Sequence, residues 1–282
     1  MAPGAFQFKP VPTRFRTSQD ITNNRTRPRE WARERETFSF GAQVVVESPN
    51  VKKSPVELGL EERVEDSMHQ SLYDIGCFAE VADYRYDLSS IWRFYSRLSY
   101  SGGPLGLYDG IKGSKLHKIY QPASQEKNRV LFVSRPNYDR RKSQLIIAFS
   151  GVPGTELGEL INLPLIKKER GSAKVSSGLW DIYRPLRRGV RTEAMKLINI
   201  LQPGTVIVTG SATGAAQATF LALELLVQNL RVKLRLVAFG SPRIGDYEFA
   251  DWYKTKTDRY NLYKNKKINF SDFHVKGAND SE

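Results

Sequence analysis

Residues 206–226 read VIVTGSATGAAQATFLALELL. Three β-branched residues, Val206, Ile207 and Val208, run into Thr209-Gly210, and a long apolar stretch follows from Ala215. A buried strand, a tight turn and an apolar helix therefore succeed one another without a linker. The turn itself is Gly210-Ser211-Ala212-Thr213-Gly214. Its two glycines have the spacing of the G-x-S-x-G turn, which holds a central serine out at a strand-to-helix corner. Here the centre is Ala212. A methyl group cannot attack a carbonyl, so a covalent step has no agent at that position.

Working outward, strands and helices alternate. RVLFVSRP (129–136), SQLIIAFSG (143–151), TVIVTG (205–210) and RLVAFGSPRIG (235–245) read as strands, and RYNLYK (259–264) as a possible fifth after the turn-forming segments. LWDIYRPLRRGVRTEAMKLINIL (179–201) and AAQATFLALELLVQNL (215–230) read as the helices between them. Apolar strands alternating with helices predict an α/β fold, a mostly parallel sheet with helices on both faces. Ligand sites of such sheets lie off the carboxyl ends of the strands. Those ends are Ser150-Gly151, Thr209-Gly210 and Gly240-Ser241. Upstream, FSFGAQVVVES (38–48) predicts a strand, and the spacing of Leu60, Val64, Met68, Leu72, Ile75 and Ala79 predicts a helix.

The chain has 282 residues and a formal charge of +13. Residues 1–40 are rich in Arg, Pro, Asn and Thr and read as a basic, flexible arm ahead of one domain spanning 41–282. A basic excess favours anionic partners: RNA, an acidic protein or an anionic membrane. KTKTDRYNLYKNKK (254–267) interleaves Lys with Tyr and could follow a phosphate backbone while its rings stack on bases. A single cysteine, Cys77, excludes an internal disulfide and reads as a buried small hydrophobe. The three histidines and one cysteine have no ligand spacing, so neither metal nor organic cofactor is expected. There is no apolar run of about 18 residues to span a membrane, and no apolar signal segment in the first 40 residues. A cytoplasmic, intracellular location is expected. Arg14 and Arg16 before Asp20 leave a transit peptide as a weaker option, against which Glu30, Glu34 and Glu36 argue.

Several segments together resemble the class 3 (fungal-type, triacylglycerol) lipase family over roughly residues 60–275. VTGSATGAAQAT (208–219) is similar to the family's V-T-G-H-S-L-G-G-A-x-A-T, and VAFGSPRIGDYEFADWY (237–253) to its F-G-S-P-R-x-G segment. IIAFSGVPGT (146–155) stands where the family has a strand followed by R-G-T, and KVSSGLWDIY (174–183) where it has V-H-x-G-F. YDIGCFAE (73–80) and GGPLGLYDG (102–110) add to the likeness. The resemblance implies an α/β-hydrolase fold and a cleft facing a lipid or acyl ester. It aligns the family's serine with Ala212 and the histidine before it with Ser211. It implies an oxyanion cradle from the backbone N–H groups of Thr213 and of Gly151 or Val152, with the family's threonine hydroxyl lost at Val152. An acid and then a histidine should follow. YNLYKNKKINF (260–270) holds no carboxylate, Asp258 and Asp272 flank it, and His274 is the one histidine after the turn and a possible base.

Three functions from different classes follow. The leading one is a catalytically impaired pseudo-lipase that at most binds a lipid or acyl ester. The second is a working lipase or esterase with Ser211, or a water, as an unorthodox nucleophile and His274 as base. The third is a basic interaction protein for RNA or an anionic surface. Ser150, Ser177, His69 and His117 read as structural or surface residues.

Overall fold

The computed structural model describes residues 42–45, 66–83, 88, 92, 110–122, 127–166, 173–228, 230, 232–263 and 270–277. The arm of residues 1–40 lies outside the described residues, and of FSFGAQVVVES only 42–45 are described. In chain order the elements are β1 (Ala42–Val45), α1 (Asp66–Asp83), β2 (Lys115–Tyr120), β3 (Val130–Arg135), β4 (Gln144–Phe149), β5 (Leu160–Asn162) and β6 (Lys174–Ser176). Then follow α2 (Ser177–Leu201), β7 (Thr205–Ser211), α3 (Thr213–Val227), β8 (Lys233–Phe239), α4 (Tyr247–Tyr263) and β9 (Phe270–Gly277).

Seven strands form one sheet in the order β1-β9-β8-β7-β4-β3-β2, and β5 pairs with β6 separately. The central run β4-β7-β8-β9 is parallel. Each of its crossovers carries a helix, α2, α3 or α4, which is the length of chain a parallel connection needs. At its flanks the sheet turns antiparallel, β2 and β3 on one side and β1 on the other.

Alternation along the strands decides which face each side chain joins. Leu145, Ile147 and Phe149 of β4 and Val206 and Val208 of β7 enter the core under α2, α3 and α4. Ile146, Ala148 and Ile207 face the other way, toward Leu72, Ile75, Phe78, Val81 and Ala82 of α1. α3 is buried from Gly214 to Leu226. That explains an apolar sequence with no polar stripe: a helix hydrophobic all round belongs in a core. α2 begins at Ser176, whose hydroxyl oxygen accepts the Leu179 N–H at 3.2 Å as an N-cap.

One expected element is corrected. RYNLYK is not a strand up to residue 263, because α4 continues through it to Tyr263. Phe249, Trp252, Tyr253 and Tyr260 recur at helical spacing, and Phe249 and Tyr260 are buried in the same core. Aromatic composition alone suggested a strand; the spacing of the buried faces favours the helix. The fifth strand on that side is instead β9, whose residues 272–275 pair in parallel with 236–239 of β8.

The aromatic centre of the larger core is Phe220, whose ring lies 5.4 Å from Trp180 at 83° and 5.4 Å from Tyr183. Phe220 is fully buried. Phe220→Ala is expected to lower the unfolding free energy by about 3–5 kcal/mol, read from the shift of a urea midpoint at constant slope.

Candidate functional site

The carboxyl ends of β4, β7, β8 and β9 meet at one edge. Phe149, Gly210, Ala238 and His274 stand level across the sheet. Just beyond Gly210 the chain turns through Ser211 and Ala212 into α3. Ala212 has φ 48° and ψ −122°, a region that L-residues rarely enter. Its N–H donates to Phe239 O at 2.9 Å, and its carbonyl accepts the Ala215 N–H at 3.0 Å. Both flanking glycines are required by backbone on backbone. A Cβ on Gly210 would stand 2.5 Å from the Gly214 carbonyl, and one on Gly214 would stand 2.7 Å from Phe149 O. The turn is thus a strained strand-to-helix corner with the Ala212 methyl exposed at its tip.

The neighbouring loop after β4 carries the other backbone donors. The Val152 N–H donates to the Thr213 hydroxyl at 2.7 Å. The Gly151 N–H donates to Asp83 Oδ1 at 2.5 Å. Ser211 Oγ donates to Asp83 Oδ2, also at 2.5 Å. Asp83 is therefore a member of the site that sequence reasoning missed. It is the last residue of α1 and lies 128 positions from Ser211, so no local pattern links them. Burial pushes its carboxyl above the ordinary aspartate range, and hydrogen bonds from Ser211 and Gly151 and the charge of Arg129 pull it partly back. Glu80, one turn earlier, is raised by burial and by the charge of Asp83.

The remaining expected site residues divide clearly. Ser211, Ala212, Thr213, Gly151 and Val152 come together. His274 lies inside β9, two strands from Gly210, about 10 Å away by strand spacing. Its Nε2 is 4.0 Å from Asp272 Oδ2, and Asp272 also accepts the Tyr253 hydroxyl at 3.1 Å. Of YNLYKNKKINF only 260–263 and Phe270 are described, and Asp258 before it lies on α4. Ser150 is buried and structural: its Oγ accepts the Arg129 N–H at 2.9 Å and donates to Lys127 O at 3.0 Å. His117 lies on β2, where its Nε2 is 2.7 Å from Ser134 Oγ. The side chain of His69 lies outside the described residues. In the Lys- and Tyr-rich segment the Tyr260 ring is buried and its hydroxyl donates to Leu230 O, so it is not available to stack on a base.

Residues 150–268, which hold this turn, the parallel strands β7 and β8 and the FGSPR segment, match the family described as Lipase (class 3). Over those residues the chain is class 3 lipase-like. Its fold is similar to that of the lipase from Rhizopus microsporus var. chinensis, with a TM-score of 0.54 at 17% identity over 68% of this chain. That match spans 64% of the Rhizopus microsporus lipase, a little under two thirds. The triacylglyceride lipase of Rhizomucor miehei is similar with a TM-score of 0.55 at 17% identity, covering 69% of this chain and 70% of its own. Lipase II from Rhizopus niveus gives 0.55 at 16% identity, covering 68% and 69%. At these identities the likeness establishes the fold. No curated protein matches the chain in sequence. Among the described residues no helix is long and apolar enough to cross a membrane.

Two measurements follow from the class 3 turn and its carboxylate. A positive-φ alanine carries about 1–3 kcal/mol of strain that glycine would not, against about 0.5–1 kcal/mol of extra unfolded-state freedom. Ala212→Gly is therefore expected to stabilise the fold by about 1 kcal/mol in urea unfolding, whereas Gly214→Ala, which meets backbone, destabilises it. The raised carboxyl of Asp83 means that the native chain binds its proton more tightly than the unfolded chain. That stabilisation is present below the unfolded value and is lost as pH rises through the folded one. Asp83→Asn should accordingly gain in unfolding free energy relative to wild type as pH rises above about 4, the ordinary aspartate value. A difference that stays constant over the range would contradict this assignment.

Proposed function

We propose that this class 3 lipase-like α/β-hydrolase domain is catalytically impaired, and that its cleft at most binds a lipid or acyl ester. One observation carries the reading: the elbow keeps its strained geometry and both close-packed glycines, yet its tip is the methyl of Ala212. Covalent ester hydrolysis starts with a nucleophile at that tip. Members of such a catalytic set act as a unit, so loss of one removes nearly all of the rate. Two further facts support the reading. Neither Gly151 nor Val152 offers a free loop N–H to a developing oxyanion, since each already donates to a side chain. The His274–Asp272 pair lies within β9, two strands from the elbow strand β7.

A second reading has an observation of its own. Ser211 Oγ donates to Asp83, whose proton affinity is raised by burial. A hydroxyl hydrogen-bonded to a carboxylate of raised pKa is the arrangement of a nucleophile and its base. Against it, the same carboxylate also accepts the N–H of Gly151, one of the two loop residues the resemblance offers as an oxyanion donor.

Intact mass of the full chain after incubation with a fluorophosphonate, beside Ser211→Ala, separates the two readings. No adduct is the expected result. An adduct lost in Ser211→Ala would make Ser211 a working nucleophile and overturn the impaired reading. One that persists in the variant would assign the chemistry to another serine.

A further inference from the structure

The edge of the sheet opposite the elbow carries a surface of another kind. Gln144, Thr205 and Lys233, at the starts of β4, β7 and β8, stand level across it. The connections that lead into these strands are locked backbone to backbone. The Gly204 N–H donates to Ser143 O at 3.0 Å, the Lys233 N–H donates to Gly204 O at 3.4 Å, and a Cβ on Gly204 would run into the Arg141 carbonyl. On these connections three large apolar side chains stand in solvent: Tyr138 before β4, Ile200 near the end of α2 and Val227 at the end of α3, with exposures of 109%, 65% and 73%. Tyr138 is held out by its turn, where Asn137 Oδ1 accepts the Asp139 N–H and Asp139 Oδ1 accepts the Arg141 N–H, each at 3.0 Å. Ile200 and Val227 lie outside the buried stripes of their helices, which take in Leu197 and Ile198 of α2 and end at Leu226 of α3. β-branched residues are middling helix formers, so neither packing nor propensity calls for them at these two positions.

Cations stand around them. Arg141, Lys142, Lys196 and Lys233 are exposed at the same end. Among the described residues Arg141, Lys142 and Lys233 pair with no carboxylate, and Lys196 pairs with Glu193 of its own helix at 3.3 Å. We propose that this end of the domain docks on an anionic lipid surface, the Lys and Arg side chains meeting headgroup phosphates while Tyr138, Ile200 and Val227 enter the acyl boundary. Uncompensated Lys and Arg are drawn to a negative leaflet. The apolar side chains decide the kind of anion. They gain by leaving water for acyl chains, whereas Ile200 and Val227 have neither a ring to stack on a base nor a donor for a phosphodiester. The surface is separate from the basic arm of residues 1–40. The elbow lies at the other end of β7, which runs from Thr205 to Ser211, a rise of roughly 20 Å. Docking at this end turns the elbow edge toward water and does not depend on what the cleft holds or whether Ser211 reacts.

The test is co-sedimentation of the full chain with vesicles of phosphatidylcholine alone and of phosphatidylcholine with about 30% phosphatidylserine. Wild type should bind the anionic vesicles and leave the neutral ones. Arg141→Gln/Lys142→Gln should weaken binding by about 25-fold, at about fivefold for each charge removed. Ile200→Ser/Val227→Ser keeps every charge and should weaken it by about tenfold through lost apolar burial. Arg184→Gln/Arg188→Gln is the control. It removes the same charge from exposed positions on α2 whose nearer member is about 18 Å along the helix from Ile200, beyond the screening length, and should change binding by less than about twofold. All six side chains are on the surface, so the variants should fold, which circular dichroism checks. Binding that is unmoved in Ile200→Ser/Val227→Ser, or weakened as much in the control as in Arg141→Gln/Lys142→Gln, overturns the proposal. A wild type that binds a random-sequence RNA and not the vesicles makes this a nucleic-acid surface and overturns it too, as does one that binds neither.

Discussion

The crossing of α3 over β7 and β4 is the constraint on which the rest of this molecule depends. At Gly210 and Gly214 the helix and the strands touch backbone to backbone, with no room for a single Cβ. A helix set that deep cannot present a solvent face, and α3 is accordingly buried from Gly214 to Leu226, with Ala215, Ala216 and Ala218 at its closely packed start. Its depth in turn fixes the corner that feeds it. The chain must reverse from strand to helix within Ser211 and Ala212, which places Ala212 at positive φ. The Ala212 N–H is tied to Phe239 O of the neighbouring strand, so the corner is braced by β8 as well as by β7.

Strain of this kind persists where surrounding structure over-determines it. In an active elbow it holds a hydroxyl toward the substrate. In this chain the same corner holds a methyl, and the surrounding polar groups have turned to one another: Val152 to Thr213, Gly151 and Ser211 to Asp83. The buried polar requirement of the loop is met internally, as the interior of any protein demands. An elbow that keeps its geometry while its hydrogen bonds close on themselves is a stable structural corner.

Much of the fold was legible in the sequence, and for a definite reason. Strands such as QLIIAF and VIVTG are apolar on both faces because helices cover both, and that composition shows without any tertiary information. The G-x-x-x-G spacing and the FGSPR segment mark the site because they answer local backbone demands. Segments whose identity depends on distant partners were harder to read. RYNLYK looks like a strand by composition and is helix because Tyr260 completes a buried stripe with Phe249. His274, a possible base by its order in the chain, lies within β9, held in register with Ala238.

The sequence by itself determined the α/β layering, the position of the elbow and the absence of a nucleophile at its tip. Each of these is carried by residue type within a short window: apolar runs, paired glycines, one alanine. Only the tertiary structure decided that Asp83 accepts the Gly151 N–H beside that tip. Asp83 and Gly151 belong to a helix on one face of the sheet and a loop at its edge, and their contact exists because the sheet holds both ends within hydrogen-bonding reach. A hydrogen bond between residues so far apart in the chain leaves no periodicity or spacing to read.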